Sequence, residues 1–254
     1  MADAFKVLVI DDETVIRESI RRLLSAEGFA VQARADAESG LALLREAVPD
    51  VVFVDLKLPK RSGMEFLDVV QKEFPQVAAI VMTGYSTVEN AVASLQHGAL
   101  DFLPKPFGFE ELLSTAQRAG RFVRLPQALR RPGIGTPPLP LYRLGMWAWA
   151  QVGADDTALI GVTDLFQRLV GRIVQVDLCV PSGEVHQGSR LVELGAADQL
   201  LHTVWSALSG RVIERNHKVE ADPSLLNRDP WGSGWLLRII PDRLKGELPN
   251  LLQI

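Results

Sequence analysis

The chain opens on a repeated alternation between short apolar runs and stretches with helical spacing. Residues 6–10 (KVLVI) form a run of the kind needed by a strand buried on both faces. Residues 13–26 then place Val15, Ile16, Ile20, Leu23 and Leu24 at helical intervals. A short strand at 29–33 is predicted next, followed by a helix over 37–47 through Leu41, Leu43 and Leu44. Residues 51–54 (VVFV) are the second strong apolar run. The same reading gives a helix at 64–73, a strand at 78–82, a helix at 87–97, a strand at 99–103 and a helix from 109 to about 123. Five strands interleaved with five helices predict a doubly wound, five-stranded parallel sheet covered on both faces. Ligands of such sheets bind at the carboxyl ends of strands, near the reversal in strand order.

The pattern breaks at LPQALRRPGIGTPPLPL, residues 125–141, which hold five prolines and two glycines. Proline lacks an amide donor and blocks helix, so this stretch reads as a semi-extended linker. Beyond it the signal is mainly alternating: Trp147-Ala-Trp149, Ala158-Leu-Ile160, Ile173 to Leu178, Val204-Trp205, Arg211-Val-Ile213 and Leu236 to Ile240. Turn residues at 153–156, 181–183 and 209–210 separate these strand candidates. Two short helices are expected, one over 163–170 with Thr163 as its cap and one beginning near Asp242. The division is therefore 1–124, linker 125–141, and a small β-rich domain at 142–254.

Composition sharpens the division. Of 27 Lys+Arg and 31 Asp+Glu, residues 1–124 hold 14 and 18, leaving 13 and 13 for the rest. All five tryptophans lie after the linker. The net charge of −4 and the lack of a helix with clustered Arg and Lys argue against DNA binding. Cys179 is the only cysteine, which excludes an internal disulfide and a multi-cysteine zinc site. The four histidines, at 97, 186, 202 and 217, are scattered and read as surface or satisfied groups. The opening MADAFKVLVIDDE lacks the cationic start of a signal peptide, and no apolar stretch reaches the roughly 18 residues that span a bilayer. The expectation is a cytoplasmic protein without a membrane partner.

The predicted carboxyl ends carry reactive residue types. The first strand ends in Asp11-Asp12-Glu13, the third in Asp55, the fourth in Thr83-Gly84 and the fifth in Lys105. Carboxylates converging on one edge repel each other and call for a divalent cation, for which hard oxygen ligands suit Mg²⁺. A carboxylate beside Mg²⁺ can attack a phosphoryl group, and a neighbouring lysine and hydroxyl can bind the transferred oxygens.

VLVIDDE, VVFVDLKLP, VMTGY and DFLPKPF, in this order and spacing, resemble the receiver domain of two-component response regulators, a flavodoxin-like fold. The resemblance implies that Asp55 is phosphorylated by a histidine kinase or phosphotransfer protein. It implies that Asp11, Asp12, Asp55 and the Lys57 backbone carbonyl hold Mg²⁺, with Asp11 acting mainly through a water. Thr83 would bind the phosphoryl group and Lys105 would pair with it. Phe102 would be the switch aromatic that turns inward when Thr83 moves. Gly84 would keep the site open, while Lys57 and Tyr85 would influence how long the phosphoryl group lasts. A homodimer through the receiver is also compatible with the family.

The second half has its own resemblance. IGVTDLFQRLVGRIVQVDL, SGRVIERN and ADPSLLNRDPWGSGWLLRIIP are similar to the H protein of the glycine cleavage system, a hammerhead fold related to biotinyl and lipoyl domains. That family carries lipoate on a hairpin lysine. Here the corresponding segment, 193–205, has no lysine, and the only lysines past the linker are Lys218 and Lys245. No lipoate is expected. The segment is apolar through Leu194, Leu200, Leu201 and Trp205, so one reading makes it an interface with an unidentified protein target, while the other places these side chains in the domain's own core. No nucleophile–base pair marks the second half as an enzyme, and no Walker lysine follows GIGTPP, so no ATPase is expected. Three functions therefore stand: a signalling output through protein contacts, a docking partner of lipoate-handling enzymes, or a DNA-linked regulator with an unrecognised surface.

Overall fold

The computed structural model describes residues 4–84, 88–133, 140–180 and 183–253. The chain divides into two compact units, Met1–Leu125 and Pro126–Ile254. The first runs β1 (Lys6–Ile10), α1 (Thr14–Ala26), β2 (Ala30–Arg34), α2 (Ala37–Glu46), β3 (Val51–Asp55), α3 (Gly63–Glu73), β4 (Ala78–Thr83), α4 (Val88–Gln96), β5 (Asp101–Pro104) and α5 (Phe109–Arg124).

Its strands form one parallel sheet in the order β2-β1-β3-β4-β5. The fully apolar runs became the central strands: every residue of β3 and β4 is buried. Edge strand β2 is half-exposed, which explains its weaker signal. The helices bury one stripe each, through Ile20 and Leu24 on α1 and Leu112, Leu113, Ala116 and Ala119 on α5. Local chemistry starts two of them. Asp36 accepts the Ser39 N–H to cap α2, and Ser62 and Glu65 form a reciprocal capping box on α3. The strand order reverses beside β1, so the carboxyl ends of β1 and β3 flank the crevice where such folds place their sites.

The second unit holds β6 (Leu141–Leu144), β7 (Ala148–Val152), β8 (Ala158–Val162), α6 (Asp164–Val170), β9 (Ile173–Leu178), β10 (Glu184–Val185), β11 (Arg190–Ala196), β12 (Leu201–Trp205), β13 (Gly210–Arg215), α7 (His217–Ala221), α8 (Ser224–Arg228), β14 (Trp235–Pro241), α9 (Leu244–Glu247) and β15 (Leu252–Gln253). They build a seven-stranded sheet, β10-β13-β14-β8-β7-β6-β15, and a three-stranded sheet, β12-β11-β9, with antiparallel pairing throughout. Thr163 caps α6 by accepting the Phe166 N–H. Helices α7 and α8 were not anticipated. Each has five residues and buries only one of them, Val219 or Leu226, so neither shows a helical period. Gly210, read as a turn residue, instead begins β13 and pairs with Pro241.

The apolar segment proves to be the β11–β12 hairpin. Its Leu194 and Trp205 are core residues, Leu200 is half-buried, and only Leu201 is exposed. An interface made by all four is therefore ruled out, because strand alternation sends Leu194 inward. Trp147 and Trp149 are buried, whereas Trp231 and Trp235 are half-buried.

Trp149 anchors this unit. Its indole N–H is shared between the carbonyls of Val162 at 3.1 Å and Pro230 at 3.2 Å, and its ring packs against Trp231. Gly161 lies opposite Trp149 on β8, where an added Cβ would overlap the indole. Gly161→Ala is expected to destabilise the second unit by about 1–3 kcal/mol through overpacking. Tryptophan fluorescence in a denaturant titration reads that unit alone, since it holds every tryptophan. An unchanged midpoint would contradict the packing described here.

Candidate functional site

The polar cluster sits on the carboxyl edge of the parallel sheet. Asp11 follows β1 directly and is fully buried, and Asp55 ends β3 with 6% exposure. Asp12 is exposed beside them. One carboxylate oxygen from each of the three lies within 4.8 Å of the others. Thr83 closes β4 and is buried, and Lys105 follows β5.

Lys105 ties the strands together. Its Nζ donates to Asp11 Oδ2 at 2.7 Å and Asp55 Oδ2 at 2.5 Å, with Glu13 Oε1 at 3.7 Å. Its backbone N–H donates to the Thr83 carbonyl at 2.8 Å, which fixes the base of the side chain. The remaining carboxylate oxygens are also held: Asp11 Oδ1 accepts the Glu13 N–H and Asp55 Oδ1 the Lys57 N–H, both at 2.9 Å. Burial pushes the Asp11 carboxyl up from its ordinary pKa, against the opposing pull of the Lys105 ammonium. Burial also works against the Lys105 charge, but its bonds to Asp11 and Asp55 outweigh this and its pKa is raised.

Two residues that the sequence reading passed over shape the cluster. Arg17, on α1, donates to the backbone carbonyls of Asp11 at 2.6 Å and Asp12 at 3.3 Å. It pins the turn that carries both aspartates, and its only sequence signal is a cation one helical turn beyond the acidic strand end. Gly63 begins α3 so close to the end of β3 that an added Cβ would overlap the Asp55 carbonyl oxygen. A glycine at a helix start, just after Pro59 and Ser62, was its only trace.

The other predicted residues fall as follows. Lys57 is exposed and meets the site through its N–H. Gly84 is exposed, and an added Cβ would reach only ordinary contact with Lys105. Phe102 is buried at 2% exposure, packed within the unit. Tyr85 lies outside the described residues. His97 bonds Asp68, His217 bonds Glu220, and buried His202 lies edge-on to Phe166 and 3.4 Å from Asp198. The Asp11–Asp12–Asp55 group is the one set of potential metal ligands found among the described residues. Beside Lys105, a groove of about 490 Å³ runs between α1 and the β5–α5 loop, with Val15, Leu23 and Phe109 exposed along it.

Two families match stretches of the chain. The response regulator receiver domain family matches residues 7–117, and the glycine cleavage H-protein family matches residues 141–253. The chain is 33% identical over 129 residues to the nitrogen assimilation regulatory protein NtrX of Azorhizobium caulinodans, covering 50% of this chain and 28% of that protein. It is 38% identical over 109 residues to the response regulator MprA of Mycolicibacterium vanbaalenii, covering 43% and 47%. Among solved structures, the receiver domain of NtrX from Brucella abortus is 35% identical, with a TM-score of 0.44, over 45% of this chain and 97% of that one. The chain thus spans about a quarter to a half of the length of these curated relatives. Its first unit carries a response regulator receiver domain and its second a glycine cleavage H-protein domain.

Lys105→Met leaves Asp11 and Asp55 without their shared cation. The first unit is expected to lose about 3–5 kcal/mol in Mg²⁺-free buffer. Added Mg²⁺ should then raise the variant's melting temperature more than the wild type's, since the ammonium no longer competes for the same oxygens. Scanning calorimetry checks this, and equal rises would contradict it.

Proposed function

We propose that the protein is a response regulator whose Asp55 accepts a phosphoryl group from a phosphohistidine partner, and that its second unit passes the signal on by protein contact. The observation that carries this reading is the Lys105 ammonium bridging Asp11 and Asp55 at the carboxyl edge of a receiver-type sheet. Asp55 Oδ2, the oxygen nearest that charge, attacks phosphorus as the bond to the donor's imidazole nitrogen breaks. Lys105 then pairs with the transferred oxygens, and the Thr83 hydroxyl is placed on the adjacent strand to bind one of them.

Asp11, Asp12 and Asp55 suit a bound Mg²⁺, because they offer hard oxygen donors within 4.8 Å of one another and two of them are buried. When bound, such an ion neutralises the charge that accumulates on the phosphoryl oxygens. The groove beside Lys105, with its exposed Val15, Leu23 and Phe109, supports docking of an apolar partner helix next to the acceptor. A phosphoryl group on Asp55 adds negative charge, draws Lys105 and Thr83 toward it, and biases a two-state equilibrium of β5 and α5. A protein target or a second copy of the receiver would read that state, and no catalytic turnover by the second unit is required.

The second unit is proposed to carry no lipoate. The β11–β12 turn is Ala197-Asp198-Gln199-Leu200, which offers no amine to acylate. Lys218 lies in α7 and Lys245 in α9, so neither is presented on a hairpin.

Two outcomes test the proposal. Radiolabelled acetyl phosphate with Mg²⁺ should label the wild type, and both chelation and Asp55→Asn should reduce labelling by about 100-fold or more. Equal labelling of Asp55→Asn removes the acceptor assignment. Expression with lipoic acid and lipoyl ligase should leave the intact mass unmodified, and a lipoyl adduct would end the non-carrier reading.

A further inference from the structure

The parallel sheet ends on β5, whose Asp101 and Phe102 lie in register with Ile80 and Val81 of β4. The side chain of Asp101 turns back onto its own strand: Asp101 Oδ1 accepts the Phe102 N–H at 2.9 Å. The other oxygen, Asp101 Oδ2, accepts Arg118 Nη2 of α5 at 2.6 Å. Asp101 is 1% exposed and Arg118 2%. One carboxylate therefore grips the backbone of the edge strand and the guanidinium of the last helix together.

A buried ion pair is weak evidence for stability, since packed apolar side chains of similar size serve as well or better. What it imposes is one relative position of two elements, because charge-assisted bonds shorten and strengthen in a dry interior. Its place is specific. Four residues beyond Asp101 along the same chain, Lys105 reaches both Asp11 and Asp55, and its backbone N–H donates to the carbonyl of Thr83. Any shift of β5 that follows Lys105 moves Asp101 and, through it, Arg118.

We infer that Asp101 and Arg118 are positioning residues that carry the phosphoryl-dependent shift of β5 into α5. This rests on the phosphoryl-acceptor reading of Asp55. The pair makes the strand edge and the helix move as one element, so the state of the acidic pocket is expressed on α5, the helix from which the chain continues into the second unit.

The test uses the full chain and the double variant Asp101→Asn/Arg118→Met. Removing both charges leaves neither member of this pair as a buried ion without the other, and Asn keeps an acceptor for the Phe102 N–H. Beryllofluoride with Mg²⁺ serves as the phosphoryl analogue, its binding read by fluorine NMR. Amide hydrogen exchange across residues 109–124 reads the helix. In the wild type, exchange in α5 should change by about fivefold or more on beryllofluoride binding, the lower end of couplings between sites. In the double variant beryllofluoride should still bind while the α5 response falls below about twofold. Arg118→Lys, which keeps the cation but loses the fork, should give an intermediate response, and it carries the test if the double variant does not fold. A full wild-type response in either variant overturns the inference. So does a folded double variant that no longer binds beryllofluoride, because the pair would then build the pocket rather than carry its signal. A wild type that binds the analogue with no change in α5 overturns the coupling alone, whereas one that binds no analogue overturns the acceptor reading with it.

Discussion

The first unit depends on one ammonium held between two buried carboxylates. Asp11 and Asp55 lie at the ends of neighbouring strands, and without a cation their charges would oppose each other in a poorly solvated crevice. Two like charges about 4 Å apart cost roughly 4 kcal/mol at the effective dielectric of a protein surface. Lys105 removes that repulsion by bonding both, and it arrives from a third strand, β5. The pocket is thus a junction of three strands whose geometry follows the charge placed among them. Adding or withdrawing charge there must be felt along β5, because the lysine is the lever that joins the strand to the acids.

The second unit buries a different polar cluster, in which Glu247 accepts the Ser209 N–H at 2.7 Å and the Ser209 hydroxyl accepts the Gln187 N–H at 2.8 Å. Its apolar core is aromatic and aliphatic, organised around Trp149 and the loop at Asp229. Asp229 accepts the N–H groups of Ser233 at 2.6 Å and Gly232 at 3.1 Å, and those bonds hold its carboxyl below the usual carboxylate range. The loop then delivers the Pro230 carbonyl to the Trp149 indole. Residues 141–253 match the glycine cleavage H-protein family, while the hairpin turn holds Gln199 at a positive φ of 65° and contains no lysine.

How much of this was legible beforehand varied with the physics. Strands β3 and β4 were plain because both faces are buried and their runs are wholly apolar. The acidic residues and Lys105 were plain because strand ends in such a sheet converge on one edge. Arg17 and Gly63 were not, since one acts by bonding backbone carbonyls and the other by having no side chain at all. The Asp101–Arg118 pair was hidden for a related reason: nothing in a strand or helix period announces that two charges separated by 17 positions will meet in the dark. Leu194 and Trp205 left two readings open, because an apolar segment does not say which of its side chains turn inward until its pairing is known.

The most direct measurement is chemical trapping of the acceptor. The protein would be incubated with Mg²⁺ and acetyl phosphate, reduced with borohydride, digested and sequenced by mass spectrometry, since an aspartyl phosphate is reduced to homoserine. The account predicts homoserine at position 55 and at none of the other aspartates. Homoserine at Asp11 or Asp12, or no reduced residue at all, would contradict it.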